Sequence, residues 1–100
     1  MTEVTRYKDR ITIKGHSGYA PIGQDIVCAA VSVLVQTLIQ SVENLTADRI
    51  EKSMSPGKVD IKFWSLSDHS KVLIDSFFIG IKGIAEAYPD NVRVTEPSSH

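Results

Sequence analysis

The run Lys14-Gly15-His16-Ser17-Gly18-Tyr19-Ala20-Pro21-Ile22-Gly23-Gln24-Asp25-Ile26-Val27-Cys28-Ala29-Ala30-Val31-Ser32 decides how the chain is organised. Its middle, Gly15 to Gln24, holds three Gly and one Pro in ten residues. No regular element tolerates that density, so the segment is a loop. Before it, Ile11 and Ile13 alternate with Arg10, Thr12 and Lys14, the period of a half-buried strand. After it, Asp25 is a good N-cap, and apolar residues recur at helical spacing to about Asn44. The three pieces read strand, loop, helix.

Outward from that core, Glu3–Tyr7 is a second strand candidate, with Lys8-Asp9 as a weak hairpin turn. Ser55-Pro56-Gly57 is a turn signal, and Lys58–Trp64 alternates as a strand. Asp48–Ser53, between the first helix and that turn, is ambiguous and can be the strand's hairpin partner. Ser67 or Asp68 then caps a second helix, about His69 to Tyr88. Its apolar positions Val72, Leu73, Phe77, Ile81, Ile84 and Tyr88 recur at three and four. Gly80 and Gly83 each cost roughly 1 kcal/mol against Ala inside a helix, which close approach of a neighbour would explain. Pro89 stops the helix, Asn91–Glu96 gives a last strand with Val92 and Val94 inward, and Pro97–His100 reads as a frayed tail. The expected fold is α+β in one domain, residues 1–100: a small mixed or antiparallel sheet with two helices packed on it, in the order β-β-α-(β)-β-α-β.

The first helix is apolar on most of its circumference. Ile26, Val27, Ala30, Val31, Leu34, Leu38 and Val42 share one side, and Ala29, Val33 and Val35 reach round. Such a helix is expected to be covered on more than one face, by the sheet and by a second helix or another subunit. The apolar run from Ile26 to Val42 is shorter than the roughly 20 residues of a membrane span, contains Gln36 and Gln40, and is bordered by Asp25 and Glu43. A buried helix is the expectation, and no membrane partner.

With 42% apolar and 23% charged residues the composition is that of a soluble globular protein. The net charge is −1, and eleven basic residues are spread from Arg6 to Arg93 with no dense cluster. No nucleic-acid partner is expected on that footing. The single cysteine cannot close an internal disulfide. The polar start MTEVTRYKDR lacks the apolar core of a signal peptide, so a cytoplasmic protein is expected.

Cys28 falls in the first helical turn, where free N–H groups and the helix dipole favour a thiolate. His16 stands twelve residues earlier, at the end of a strand, a distance that the loop can fold back. A thiolate beside an imidazolium is the activated pair of thiol hydrolases. The backbone around Gly15, Ser17 and Gly18, or the N–H groups at the helix start, can supply an oxyanion site. The residues alone leave a second reading open: free cysteines are often buried, and Val27, Ala29 and Ala30 flank this one.

The segment Gly15–Ala20 followed by Gly23–Ser32 resembles the signature of the ribosomal-processing cysteine protease family, Prp. In that family the run reads approximately Gly-His-Ala-Gly-Tyr-Ala, a short spacer with Gly, then Asp-Ile-Val-Cys-Ala-Ala-Val-Ser. Gly80–Pro89 with Val92-Arg93-Val94 resembles the family's last helix and strand. The resemblance implies that Cys28 and His16 are the catalytic pair. It also implies a homodimer that removes a short N-terminal extension from a precursor, either ribosomal protein bL27 or a phage capsid or scaffold protein, cutting after a hydrophobic, Phe-containing segment. Ser17 departs from the family's common Ala, and the N-terminal hairpin is shorter than in many members. The alternative is a non-catalytic module that binds a peptide or ribosomal protein on a sheet edge.

Asp25 can orient His16 or cap the helix; the cap is favoured because a carboxylate beside a thiolate opposes its ionisation. Tyr19, Ile22, Gly23, Gln24 and Ser32 are candidate substrate contacts. Gly18 and Gly23 would give the loop two permissive ends, the outline of a substrate-gated lid. His69 reads as a solvated helix start and Trp64 as a core residue. His16, Asp25, Cys28 and His69 lack compact metal-ligand spacing, so neither a metal nor any other cofactor is expected.

Overall fold

A computed structural model describes residues 1–21 and 23–96; the tail, 97–100, lies outside them. The chain runs β1 (Thr2–Arg6), β2 (Arg10–Lys14), α1 (Ile26–Leu45), β3 (Ile50–Ser55), β4 (Lys58–Phe63), α2 (Asp68–Ala87) and β5 (Val92–Thr95). The ambiguous segment before the Pro-Gly turn is thus a strand, shifted two residues towards that turn. The sheet order is β3-β4-β2-β1-β5. Neighbours are antiparallel except β1 and β5, which are parallel with Thr2 opposite Val92. This is the α+β architecture expected, with a mixed sheet.

Alternation decides which side of the sheet is covered. Val4, Ile11, Ile13, Ile61, Phe63 and Val92 are all buried, and they face the two helices. The opposite face carries polar residues and the ion pairs Glu3–Arg93 at 3.3 Å and Arg10–Asp60 at 3.5 Å. Such surface pairs contribute at most about 1 kcal/mol each, so the helical side holds the fold together. There α1 buries Val27, Val31, Val35, Leu38, Ile39 and Val42, and α2 buries Ile74, Phe77, Phe78 and Ile81. Phe78 is 1% exposed; truncating it to Ala would cost about 3–5 kcal/mol. α1 is long and apolar enough to cross a membrane by length and composition, yet its apolar stripe is the centre of this core.

Each helix faces the core slightly differently from the sequence expectation. Ile26 is 57% exposed and Val33 63%, while Val35 and Ile39 take their places inside. Val72 is 65% exposed and Ile74 is buried in its stead. A stripe set by two helices packing on each other and on one sheet is narrower than apolarity alone suggests. Gly80 fulfils its expected role: a β-carbon there would lie 3.1 Å from Leu34 Cδ1 of α1, so the helices meet at that point. At Gly83 an added β-carbon would meet nothing within 4 Å among the described residues, so close approach does not explain it. Trp64 is 58% exposed, not a core residue, because β4 ends at Phe63 and the chain turns through Ser65 at a left-handed φ of 57°.

Candidate active site

The end of β2, the β3–β4 turn and the first two turns of α1 enclose a cavity of about 230 Å³. His16 comes to it from the β2 side and Cys28 from the helix, so the fold brings together the two residues that the sequence singled out. Gly15 and Ser32 line it as well. Ile13, Val31, Met54 and Val59 give it apolar walls, and Lys58 stands among the lining residues. A larger hollow of about 620 Å³ lies at the opposite end of the sheet, near Asp9, Trp64 and Lys71. Size does not decide between them: among the described residues the larger one has no cysteine or histidine in its lining.

Two glycines bring His16 into place. The Gly15 N–H donates to the Gly57 carbonyl at 2.8 Å, tying the end of β2 to the β3–β4 turn. Gly57 itself lies under the imidazole: a β-carbon there would come 3.0 Å from Nε2 and 3.5 Å from Cε1. Both glycines have positive φ, 92° and 71°. A β-carbon at Gly15 would collide with the Met1 carbonyl. The imidazole itself is exposed and makes no hydrogen bond within the described residues.

Asp25 organises the other half. One carboxylate oxygen accepts from the Cys28 N–H at 2.9 Å, and the other accepts from the Ser17 hydroxyl. The Ser17 hydroxyl is the main reason why the Asp25 carboxyl lies below the usual carboxylate range; burial opposes the shift, and the Cys28 amide adds to it. Asp25 is therefore the helix cap, and no hydrogen bond joins it to His16. Capping also engages the Cys28 amide, and Gly15's amide is held by Gly57, so neither is free for an oxyanion. The amides of Ser17 and Gly18 make no hydrogen bond among the described residues.

Ser17 is 2% exposed and its carbonyl accepts from Asn91 Nδ2 at 2.9 Å. Tyr19 meets Tyr88 edge to face, with centroids 5.4 Å apart. The proposed lid is thus anchored at its beginning, and Ser17 contacts the scaffold instead of a substrate. Gly18, Tyr19, Gly23 and Gln24 do not line the cavity, and Ile22 lies outside the described residues. His69 is exposed at the start of α2 and does not line it either. Sequence reasoning missed Met54, Gly57 and Lys58. The Pro-Gly turn was legible; its position beside His16 follows only from the β2–β4 pairing. Among the described residues no cluster of His, Cys, Asp and Glu could hold a metal ion.

A cysteine in the first turn of a helix, sharing one cavity with a histidine from the preceding strand end, is the layout of a thiol hydrolase. The chain belongs to the family of the cysteine protease Prp, whose model matches residues 1–93, and it is a cysteine protease. It is 26% identical to the ribosomal processing cysteine protease Prp of Mycoplasma genitalium over 98% of both chains. To the Staphylococcus aureus Prp it is 24% identical over 84% of this chain and 82% of that one. The S. aureus protease, crystallised with a covalently linked product peptide, shares the fold at a TM-score of 0.87 and 20% identity, covering 95% of this chain and 96% of the other. A Streptococcus mutans crystal structure matches at 0.79 with 28% identity, covering 98% and 93%.

Proposed function

We propose that the chain is an endopeptidase that removes a short N-terminal extension from a ribosomal protein precursor, with Cys28 as nucleophile and His16 as general base and acid. The observation that carries this reading is that Cys28 and His16 line one cavity. His16 takes the thiol proton and the thiolate attacks the scissile carbonyl. The imidazolium then gives that proton to the leaving amine as the carbon–nitrogen bond breaks, leaving a thioester. Water, deprotonated by His16, releases the acid and restores the thiol.

The apolar cavity walls suit a hydrophobic residue beside the scissile bond, in keeping with a Phe-containing segment. Relatives named for ribosomal processing favour ribosomal protein bL27 over a phage capsid or scaffold precursor as substrate. A cytoplasmic setting fits that substrate and a lone reduced thiol. The test is incubation with both kinds of precursor, with new N-termini read by mass spectrometry. A single cut in bL27 after the hydrophobic segment supports the proposal; cleavage of the capsid precursor alone refutes the ribosomal substrate.

A further inference from the structure

Cys28, Ser32, Gln36 and Gln40 follow one another at intervals of four along α1, so they form one stripe. Three polar residues continue the line of the cysteine along a helix whose buried side is apolar. Gln36 and Gln40 are exposed and make no hydrogen bond within the described residues. Packing and capping therefore give no reason for them.

The stripe faces the free edge of the sheet. β3 is the terminal strand, and Glu51–Ser55 are all exposed. A second hollow of about 280 Å³ lies between Gln36, Ile39 and Gln40 of α1 and Lys52 and Met54 of β3. Met54 lines both this hollow and the cavity that holds Cys28. The two hollows adjoin at Met54 and together outline a groove along α1 and β3, with Ile39, 3% exposed, lining the outer one. Lys52, which lines it, pairs with Glu43 of α1 at 3.2 Å.

We infer that this groove binds an extended segment of the protein substrate on one side of the scissile bond, as a strand added to the edge of β3. A strand edge offers a row of unpaired N–H and C=O groups, which any extended peptide can use. Gln36 and Gln40 each bring a donor and an acceptor from the helix side, fit to read peptide groups that β3 does not pair. From Cys28 to Gln40 is about 18 Å of helix, the length of roughly five extended residues. The occupant is a peptide because the groove adjoins, at Met54, the cavity of Cys28 and His16, and its walls are neither strongly charged nor wholly apolar. The inference rests on the proposed nucleophile only for the position of the scissile bond.

The experiment uses the Cys28→Ala chain and fluorescence anisotropy. A ten-residue peptide centred on the Phe-containing cleavage segment is compared with two versions shortened by five residues, one from each end. One shortened peptide should bind at least tenfold more weakly than the full one. Gln36→Ala with Gln40→Ala should bring that ratio close to one, and the full peptide should slow amide exchange in Ile50–Ser55. Equal affinity for all three peptides overturns the groove, as does a length advantage that survives the double variant. Exchange in β3 that slows with protein concentration and not with peptide assigns the edge to a second copy and also overturns it. Mass spectrometry of the recovered peptide reports separately on the nucleophile. A peptide cut by the Cys28→Ala chain refutes the catalytic assignment and leaves the affinity ratios readable.

Discussion

The α-carbon of Gly57 lies against the imidazole of His16, so close that a β-carbon would come 3.0 Å from Nε2. A residue from the β3–β4 turn thereby limits where that ring can sit. Gly57→Asn should lower kcat by about tenfold or more and displace the pH profile of turnover. Asn tolerates positive φ, so backbone strain of about 1 kcal/mol is a minor part of the effect. Gly18→Asn is the comparison: φ there is 70°, and among the described residues nothing lies within 4 Å of a β-carbon placed there. If both variants left the pH profile unmoved, contact with Gly57 would not position His16.

Cys28→Ala and Cys28→Ser should abolish cleavage of a precursor while changing stability by less than about 1 kcal/mol. The side chain is only partly buried, on a cavity wall, so little packing is lost with the sulfur. Turnover and chemical denaturation measured on the same preparations check this. An unfolded Cys28→Ala chain would assign the thiol to the core instead.

Asp25 and Asp48 both titrate below the ordinary carboxylate range. Ser17 is the main cause for the first; for the second it is the Ser67 hydroxyl, then Ser70. A carboxyl with its folded value lowered stabilises the fold fully above its unfolded value, near pH 4. That contribution is lost as pH falls through the lower folded values. Melting temperature should therefore hold steady from neutral pH to about pH 4 and drop below it. Asp25→Asn with Asp48→Asn should flatten this drop in a thermal series between pH 2 and pH 6.

Asn91 holds the Ser17 carbonyl next to His16. Asn91→Ala removes one hydrogen bond, a loss of about 1 kcal/mol in stability. Its effect on kcat should be larger, about tenfold, with faster amide exchange at Gly18 and Tyr19. A loss of stability with full turnover would show that the anchor serves only the fold.

A homodimer should form through the exposed apolar residues of α1, Ile26 and Val33 foremost. Sedimentation at micromolar concentration should give a species of twice the 11.0 kDa chain. Val33→Asp should shift it to the monomer, and a wild-type chain that sediments as a monomer would refute the interface.

The strand-loop-helix core was legible because its signals are local: alternation at Ile11 and Ile13, glycines at 15, 18 and 23, and a cap at Asp25. The cysteine and histidine were legible from the family signature, whereas spacing alone left Cys28 undecided between site and core. What the sequence hid are contacts between distant segments. Gly57 under His16 depends on the register of β2 with β4. Asn91 on Ser17 depends on β5 joining β1. Trp64 misleads because its alternation continues the strand by one residue, and the left-handed Ser65 that turns it outward carries no glycine to announce itself.

The parallel pairing of β1 with β5 sets an order of assembly. Thr2 lines the cavity of Cys28 and His16 and lies opposite Val92, while Asn91, just before β5, fixes the loop that follows His16. During synthesis β1 must wait for β5, far along the chain, before its outer edge is paired, and such long-range closure is slow. The His16 loop cannot be locked until β5 has left the ribosome. Without Asn91 and β5 that loop lacks its anchor, so the pairing of β5 with β1 is the step that completes the cavity shared by Cys28 and His16.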